Sequence, residues 1–209
     1  MERKSAAGNI RNKERSKKKF LDAVGKILRT KGYAALKVNS IAAAAGVDKK
    51  MIYSYFGGID GLIDEYIESQ DYWSKIMIEE IKPQVDDRGK SFMENTFFSQ
   101  FDYIHSNKEA QKLLLWRLSE SRRSLKKFTE TQGKNGEYIF KLLIDFHFKN
   151  NAENVRAIMA IMTSGLYYLN MYAEINGSIF CGIDVSTTKG RDEIKKAVSF
   201  LLHYTCKNL

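Results

Sequence analysis

The residues most able to make specific contacts lie between positions 38 and 56, which read VNSIAAAAGVDKKMIYSYF. Two short helical stretches meet there at Gly46. Ala42 and Ala45 are small enough to let the two helices approach closely, and glycine can take the left-handed turn that such a corner needs. Val47 and Ile52 close the corner against Ile41 and a preceding long helix. The second short helix is then left projecting Lys49, Lys50, Met51, Tyr53, Ser54 and Tyr55. A rigid helix with this display suits a DNA major groove, where base edges carry a distinguishable donor and acceptor code. Lysines and hydroxyls at its rim suit phosphates, which fix register. Lys37, Val38 and Asn39 at the start of the first short helix join this candidate set, as do Lys17 and Lys18 upstream.

Other constellations carry less. His203 and Cys206 stand three apart on one helical face, a spacing that suits a metal, but two ligands are too few. Arg122-Arg123 and Lys126-Lys127 read as a solvated helix face. No glycine-rich phosphate loop, nucleophile elbow or paired-carboxylate arrangement stands out. The sequence therefore predicts neither an enzyme nor a metal or cofactor site.

Charge supports the same segment. The 209 residues carry a net charge of +9. Residues 1 to 56 hold 14 Lys and Arg against 4 Asp and Glu, whereas the rest of the chain is close to balanced. A basic excess confined to the quarter that holds the corner is the electrostatic footprint of nucleic-acid binding; a solvated basic tail is its plain alternative. No apolar run approaches a membrane span, no apolar stretch follows the basic N-terminus as in a secretory signal, and two cysteines make no disulfide framework. A cytoplasmic protein without a membrane partner is the expectation.

Apolar residues recur at helical spacing almost throughout, so the chain reads as all-α. Helices are predicted over about 12–31, 38–45, 49–55, 60–82, 89–106, 108–119, 122–150, 152–175 and 190–207. Gly32 and Gly46 mark stops, Asp48 is placed to cap the second short helix, and Pro83 ends the fourth long segment. Residues 176 to 188 carry turn chemistry. The expected division is a helix-turn-helix DNA-binding domain at 1–58 and a helical body at 59–209.

Phe20, Ala23, Ile27-Leu28, Gly32-Tyr33, Ile41-Ala42, Ala45-Gly46-Val47, Ile52-Tyr53 and Tyr55-Phe56 together resemble the N-terminal domain of the TetR family of bacterial transcriptional regulators. The resemblance covers about 50 residues and implies a three-helix head, a larger helical ligand-binding and dimerisation body, and a recognition helix at Asp48 to Tyr55. It implies that Tyr53 and Tyr55 touch the DNA backbone, and that Asp48 stands where serine or threonine often caps. Lys37 replaces the usual threonine and cannot cap in the same way. Ile59 stands where a lysine often touches phosphate, which leaves that contact missing or supplied by Lys17 or Lys18.

In the body, Val155, Ile158, Met159, Met162, Leu166 and Leu169 form one stripe, and Ile194, Ala197, Val198, Leu201 and Leu202 another. The resemblance implies that these last two helices pair with a second copy, presenting two heads about one helical turn (~34 Å) apart on a near-palindromic operator. Plain core packing is the alternative. Aromatics are dense in the body, with polar groups among them. His105, Trp116, Arg117, Glu120, Tyr167, Tyr168 and Asn170 are the candidate wall of a small-molecule site, again with core packing as the alternative. Three functions fit: a ligand-responsive repressor released from double-stranded operator DNA by a small-molecule effector, a non-specific architectural DNA binder without a ligand, and a helical enzyme with an incidental basic N-terminus.

Overall fold

The computed structural model describes the backbone of residues 3–70 and 87–209, with side chains from residue 11 onward in those ranges. It is helical almost throughout: α1 (Arg3–Lys31), α2 (Val38–Ala45), α3 (Lys50–Phe56), α4 (Ile59–Ser69), α5 (Lys90–Ser106), α6 (Lys108–Ser119), α7 (Arg123–Ile139), α8 (Ala152–Ile175) and α9 (Thr188–Asn208). The predicted run of α4 to Lys82 and its stop at Pro83 lie outside the described residues. Two findings depart from the sequence reading. α1 starts nine residues earlier than predicted. Within the predicted loop at 176–188, Ile179–Phe180 pairs antiparallel with Ile183–Asp184 in a two-residue hairpin.

The expected single helix over 122–150 is also interrupted. After Ile139 the chain widens into a π-helical turn at Phe140–Asp145. Such a turn rotates less per residue than an α-helix, which swings Asp145 round toward the side that carries Glu137. Arg156 of α8 reaches both, at 2.6 Å to Glu137 and 2.7 Å to Asp145.

The described chain forms two compact units. The first takes in α1 to α4 together with residues 112–131, and the second takes in 87–111 and 132–209. In the first, Phe20, Val24 and Leu28 of α1, Ile41 of α2, Ile52 of α3 and Leu62 and Ile67 of α4 are fully enclosed. Leu113, Trp116, Leu125 and Phe128 complete that core.

In the second unit, Met93, Phe97 and Phe101 of α5 pack with Val155, Met159, Met162 and Leu166 of α8 and Val198 and Leu202 of α9. Most of the two stripes singled out in the sequence are thus consumed by this core. The face left in solvent on α8 is a different one, whereas that on α9 keeps Ala197 and Leu201 of the predicted stripe. On α8 it carries Ile161, Tyr168 and Ile175 at seven-residue intervals; on α9 it carries Ala197, Phe200, Leu201 and Tyr204 at i, i+3, i+4 and i+7.

A buried polar knot ties α5, α8 and α9. Arg191 donates to Asn170 Oδ1 at 3.1 Å, to the Phe101 carbonyl at 2.8 Å and to Asp102 Oδ1 at 2.8 Å. Its guanidinium also lies 3.8 Å from the Phe101 ring centroid. Burial pushes the Asp102 carboxyl up, but hydrogen bonds from Lys195 and Arg191 outweigh this and hold it below its ordinary value. Removing Arg191 leaves Asn170 Oδ1 without its donor in the core, while Asn170 Nδ2 still donates to the Phe101 carbonyl at 3.1 Å. Arg191→Met is expected to cost about 2 to 3 kcal/mol in chemical denaturation, with the half-exposed Asp102 adding little. Because the folded carboxyl is depressed, its stabilisation is present above the unfolded value of about 3.9 and fades as pH falls through the folded one. Asp102→Asn should flatten that acid limb of the stability profile.

Candidate DNA-reading surface

The reading surface is built on the corner between α2 and α3. Gly46 takes the left-handed conformation (φ 62°, ψ 36°), as its place in the sequence required. Its N–H donates back to the Ala43 carbonyl, and the Val47 N–H donates to that of Ala42, each at 3.3 Å. These bonds satisfy carbonyls that the end of α2 leaves open. Asp48 Oδ1 then accepts the Lys50 N–H at 2.8 Å, so the expected cap forms just ahead of α3. Lys37 precedes α2 and supplies no side-chain cap.

α3 buries a single residue, Ile52, at 0% exposure. Burying that side chain is worth about 1.5–3 kcal/mol. Met51 and Tyr55 are half-buried and rest on the same core, as does Val38 of α2. The opposite face shows Lys49, Lys50, Ser54 and Tyr53, the last 60% exposed. Lys37, Asn39 and Asp48 are exposed beside it. Ten of the twelve residues proposed for DNA therefore cluster on α2, α3 and the segments that cap them.

The two on α1 separate. Lys18 is exposed. Lys17 is half-buried, with Nζ donating to both carboxylate oxygens of Glu65 at 3.0 Å and lying 5.1 Å from the Phe56 ring centroid. It is a strut between α1, α3 and α4. Lys13, which the sequence reading passed over, is instead the α1 cation beside the reading helix, 5.6 Å from the centroid of Tyr55. Ile59, the departure from the family pattern, packs against the head core.

Two supports were not legible as such. A Cβ on Gly61 would stand 1.9 Å from the Phe56 carbonyl oxygen. Only glycine lets the end of α3 sit this close to α4. Arg122, read in the sequence as solvated, is instead a clamp. It reaches Asp60 at 3.1 Å and Asp64 at 2.8 Å, and its N–H also donates to the Asp60 carbonyl. Lys127 adds a pair to Glu68 at 2.5 Å. Segment 121–127 is thus strapped along α4.

The candidate ligand residues divide between the units. Trp116, Arg117 and Glu120 fall in the first. Trp116 is a core residue stacked on Tyr33 at 5.4 Å, with its Nε1–H donating to Glu120 at 2.7 Å. Arg117 covers the Phe128 ring. Arg117 and Glu120 also line an open recess of about 270 Å³ whose wall includes Leu118 and Leu125 as well as Lys126 and Thr129. His105, Tyr167, Tyr168 and Asn170 fall in the second unit. His105 and Tyr168 are exposed, Tyr167 is half-buried, and Asn170 belongs to the Arg191 knot. Burial and the nearby Arg191 push the His105 imidazole below its usual value. Tyr168 packs with Tyr172 on Phe180 of the hairpin.

Residues 20–66 match the family model for bacterial regulatory proteins of the tetR family. This segment is a TetR-type head. No curated protein sequence matches it. Among solved structures, the fold is similar to the transcriptional regulator FadR from Bacillus subtilis in complex with stearoyl-CoA. That match has a TM-score of 0.61 and 16% identity, over 88% of this chain and 96% of the other. It is also similar to NalD, the secondary repressor of the MexAB-OprM multidrug efflux pump in Pseudomonas aeruginosa. There the TM-score is 0.56 and the identity 16%, over 91% and 96% of the two chains. The TetR-type head is therefore a DNA-binding one, and no helix among the described residues is long and apolar enough to cross a membrane.

The Gly61 contact yields a direct test. Gly61→Ala must push the end of α3 away from α4. It is expected to destabilise the head by about 1–3 kcal/mol, the usual cost of overpacking, read as a lower thermal midpoint. Gly133→Ala, where a Cβ meets open space, should leave the midpoint unchanged or raised. Equal midpoints for the two variants would contradict the close approach.

Proposed function

We propose that the protein is a ligand-responsive repressor that binds a near-palindromic operator as a homodimer and is released by a small molecule. The observation that carries the reading is the outward face of α3. One isoleucine anchors the helix, while Lys49, Lys50, Tyr53 and Ser54 stand together in solvent on the most basic part of the chain. Lys49, Lys50, Lys37 and Tyr53 hold the DNA backbone, and Ser54 and Asn39 face the groove. Residues 1–58 read DNA, and 59–209 hold the effector and the partner. α4 and residues 112–131 pack with the head because they are its support.

The exposed faces of α8 and α9 supply the dimer contact. Ile161, Tyr168, Phe200, Leu201 and Tyr204 are large apolar side chains in solvent on two successive helices. Large apolar side chains left in solvent at helical spacing favour burial against a partner, and a twofold contact between identical copies is the commonest solution. Effector release acts through α4. Arg122 and Lys127 fix α4 to a segment whose helices, α6 and α7, continue into the second unit. An effector that prefers one arrangement of that segment changes operator affinity by a coupling of about 1–3 kcal/mol. FadR, bound to stearoyl-CoA, supports an effector with a long apolar part.

Selection of duplexes from a random library, followed by binding assays, tests the reading. The enriched site should be near-palindromic. Tyr53→Ala should weaken binding to it with little change in dimerisation, and Lys49→Ala or Lys50→Ala should each lower the salt slope by about one. Phe200→Glu with Tyr204→Glu should give monomers by sedimentation and abolish tight operator binding. Equal affinity for all duplexes would instead favour an architectural DNA binder. Unchanged affinity in all three α3 variants would place the reading helix elsewhere.

A further inference from the structure

We propose that the N-terminal half of α1 is a DNA-backbone arm that grips duplex flanking the site read by α3; this rests on the reading of α3 as the DNA-reading helix. α1 begins at Arg3, and the first buried residue among its described side chains, which start at residue 11, is Phe20. Arg3 stands about 25 Å along the helix axis from Phe20, at 1.5 Å per residue. The side chains of residues 11–15 are all exposed. These five positions gain nothing from burial, and packing is what stabilises most protein helices. Its composition makes matters worse. Residues 3–19 contain Arg3, Lys4, Arg11, Lys13, Arg15, Lys17, Lys18 and Lys19 against the single acid Glu14. Like charges four apart, such as Arg11 with Arg15 and Arg15 with Lys19, destabilise an isolated helix. A polyanion laid along it reverses the sign of that cost.

Two contacts locate the base of the arm. Its base is pinned by Lys17, held on Glu65 and against Phe56. One turn earlier, Lys13 lies over the ring of Tyr55 on the reading helix itself. Residues 3–12 thus continue about 15 Å past the level of Tyr55. A helix seated in a major groove about 12 Å wide has phosphate backbone at its edges. An arm that leaves from Tyr55 and reaches about 15 Å therefore lies over backbone outside the bases that α3 reads. DNA presents one charge per ~1.7 Å of axis there, so Arg11, Lys13 and Arg15 each meet a phosphate without reading sequence. Charge complementarity of this density and placement selects duplex DNA as the occupant.

The test compares the full chain with R11Q/K13Q/R15Q, all exposed positions, after circular dichroism has shown that both fold alike. The probes are the duplex enriched by selection with its flanking DNA, the same duplex trimmed to its base-read core, and a scrambled duplex of the longer length. On the long duplex the variant should lose about 2 to 3 from the slope of log affinity against log salt, at about 0.9 per phosphate contact. Its preference for the selected over the scrambled sequence should stay intact. On the trimmed duplex the two proteins should coincide. A difference of equal size on long and trimmed duplexes, or none on either, overturns the arm. If the wild-type chain shows no preference between selected and scrambled duplex, the reading of α3 fails instead, and the slopes still report whether the arm binds backbone.

Discussion

A seven-residue helix cannot repay its own nucleation in water. α3 exists because Ile52 is locked into a core that other elements build. Phe20, Val24 and Leu28 supply the floor, Ile41 the facing wall, and Leu62 and Ile67 the far side. This constraint explains the economy of the reading surface. With Ile52 fully buried and Met51, Tyr55 and Phe56 half-buried on the same core, Lys50, Tyr53 and Ser54 are left to meet a partner. The same constraint makes the surrounding fold exacting. Gly46 must turn left-handed for α3 to start in place, and Gly61 must lack a side chain for it to end there.

Charge is layered onto this frame in two ways that the net value of +9 does not distinguish. Some cations are consumed internally: Lys17 on Glu65, Arg122 on Asp60 and Asp64, Lys127 on Glu68. They brace α4 against α1 on one side and against segment 121–127 on the other. Others, such as Lys18, Lys37, Lys49 and Lys50, stay in solvent on the head. The braces make the head one mechanical piece, and the exposed set gives it a field that attracts a polyanion. Exposed ion pairs are individually weak. Arg122 is the exception because its fork is half-buried and reaches two carboxylates and a carbonyl at once.

The second unit follows a different logic. Its apolar stripes face inward, and specificity of packing comes from a polar knot in which Arg191 satisfies Asn170, Asp102 and the Phe101 carbonyl. Three helices are thereby fixed in register at a point where an apolar contact would let them slide. What α8 and α9 turn outward is the residue set left over once that register is chosen.

The sequence by itself determined the all-helical class, most helix boundaries to within a residue or two, the glycine corner and the basic head. These depend on periodicity, turn chemistry and local charge, which are properties of neighbours in the chain. Only the tertiary structure decided which lysine is a strut and which is free to meet a phosphate. Lys13 and Lys17 differ by one helical turn and look alike in sequence, yet only one has Glu65 opposite. It also decided that Trp116 packs inside the head unit, stacked on a tyrosine more than 80 residues away, and which faces of α8 and α9 remain exposed. Amphipathic spacing says that a helix has an apolar side. When a helix has apolar residues on two sides, only the identity of what packs against it says which one is the core.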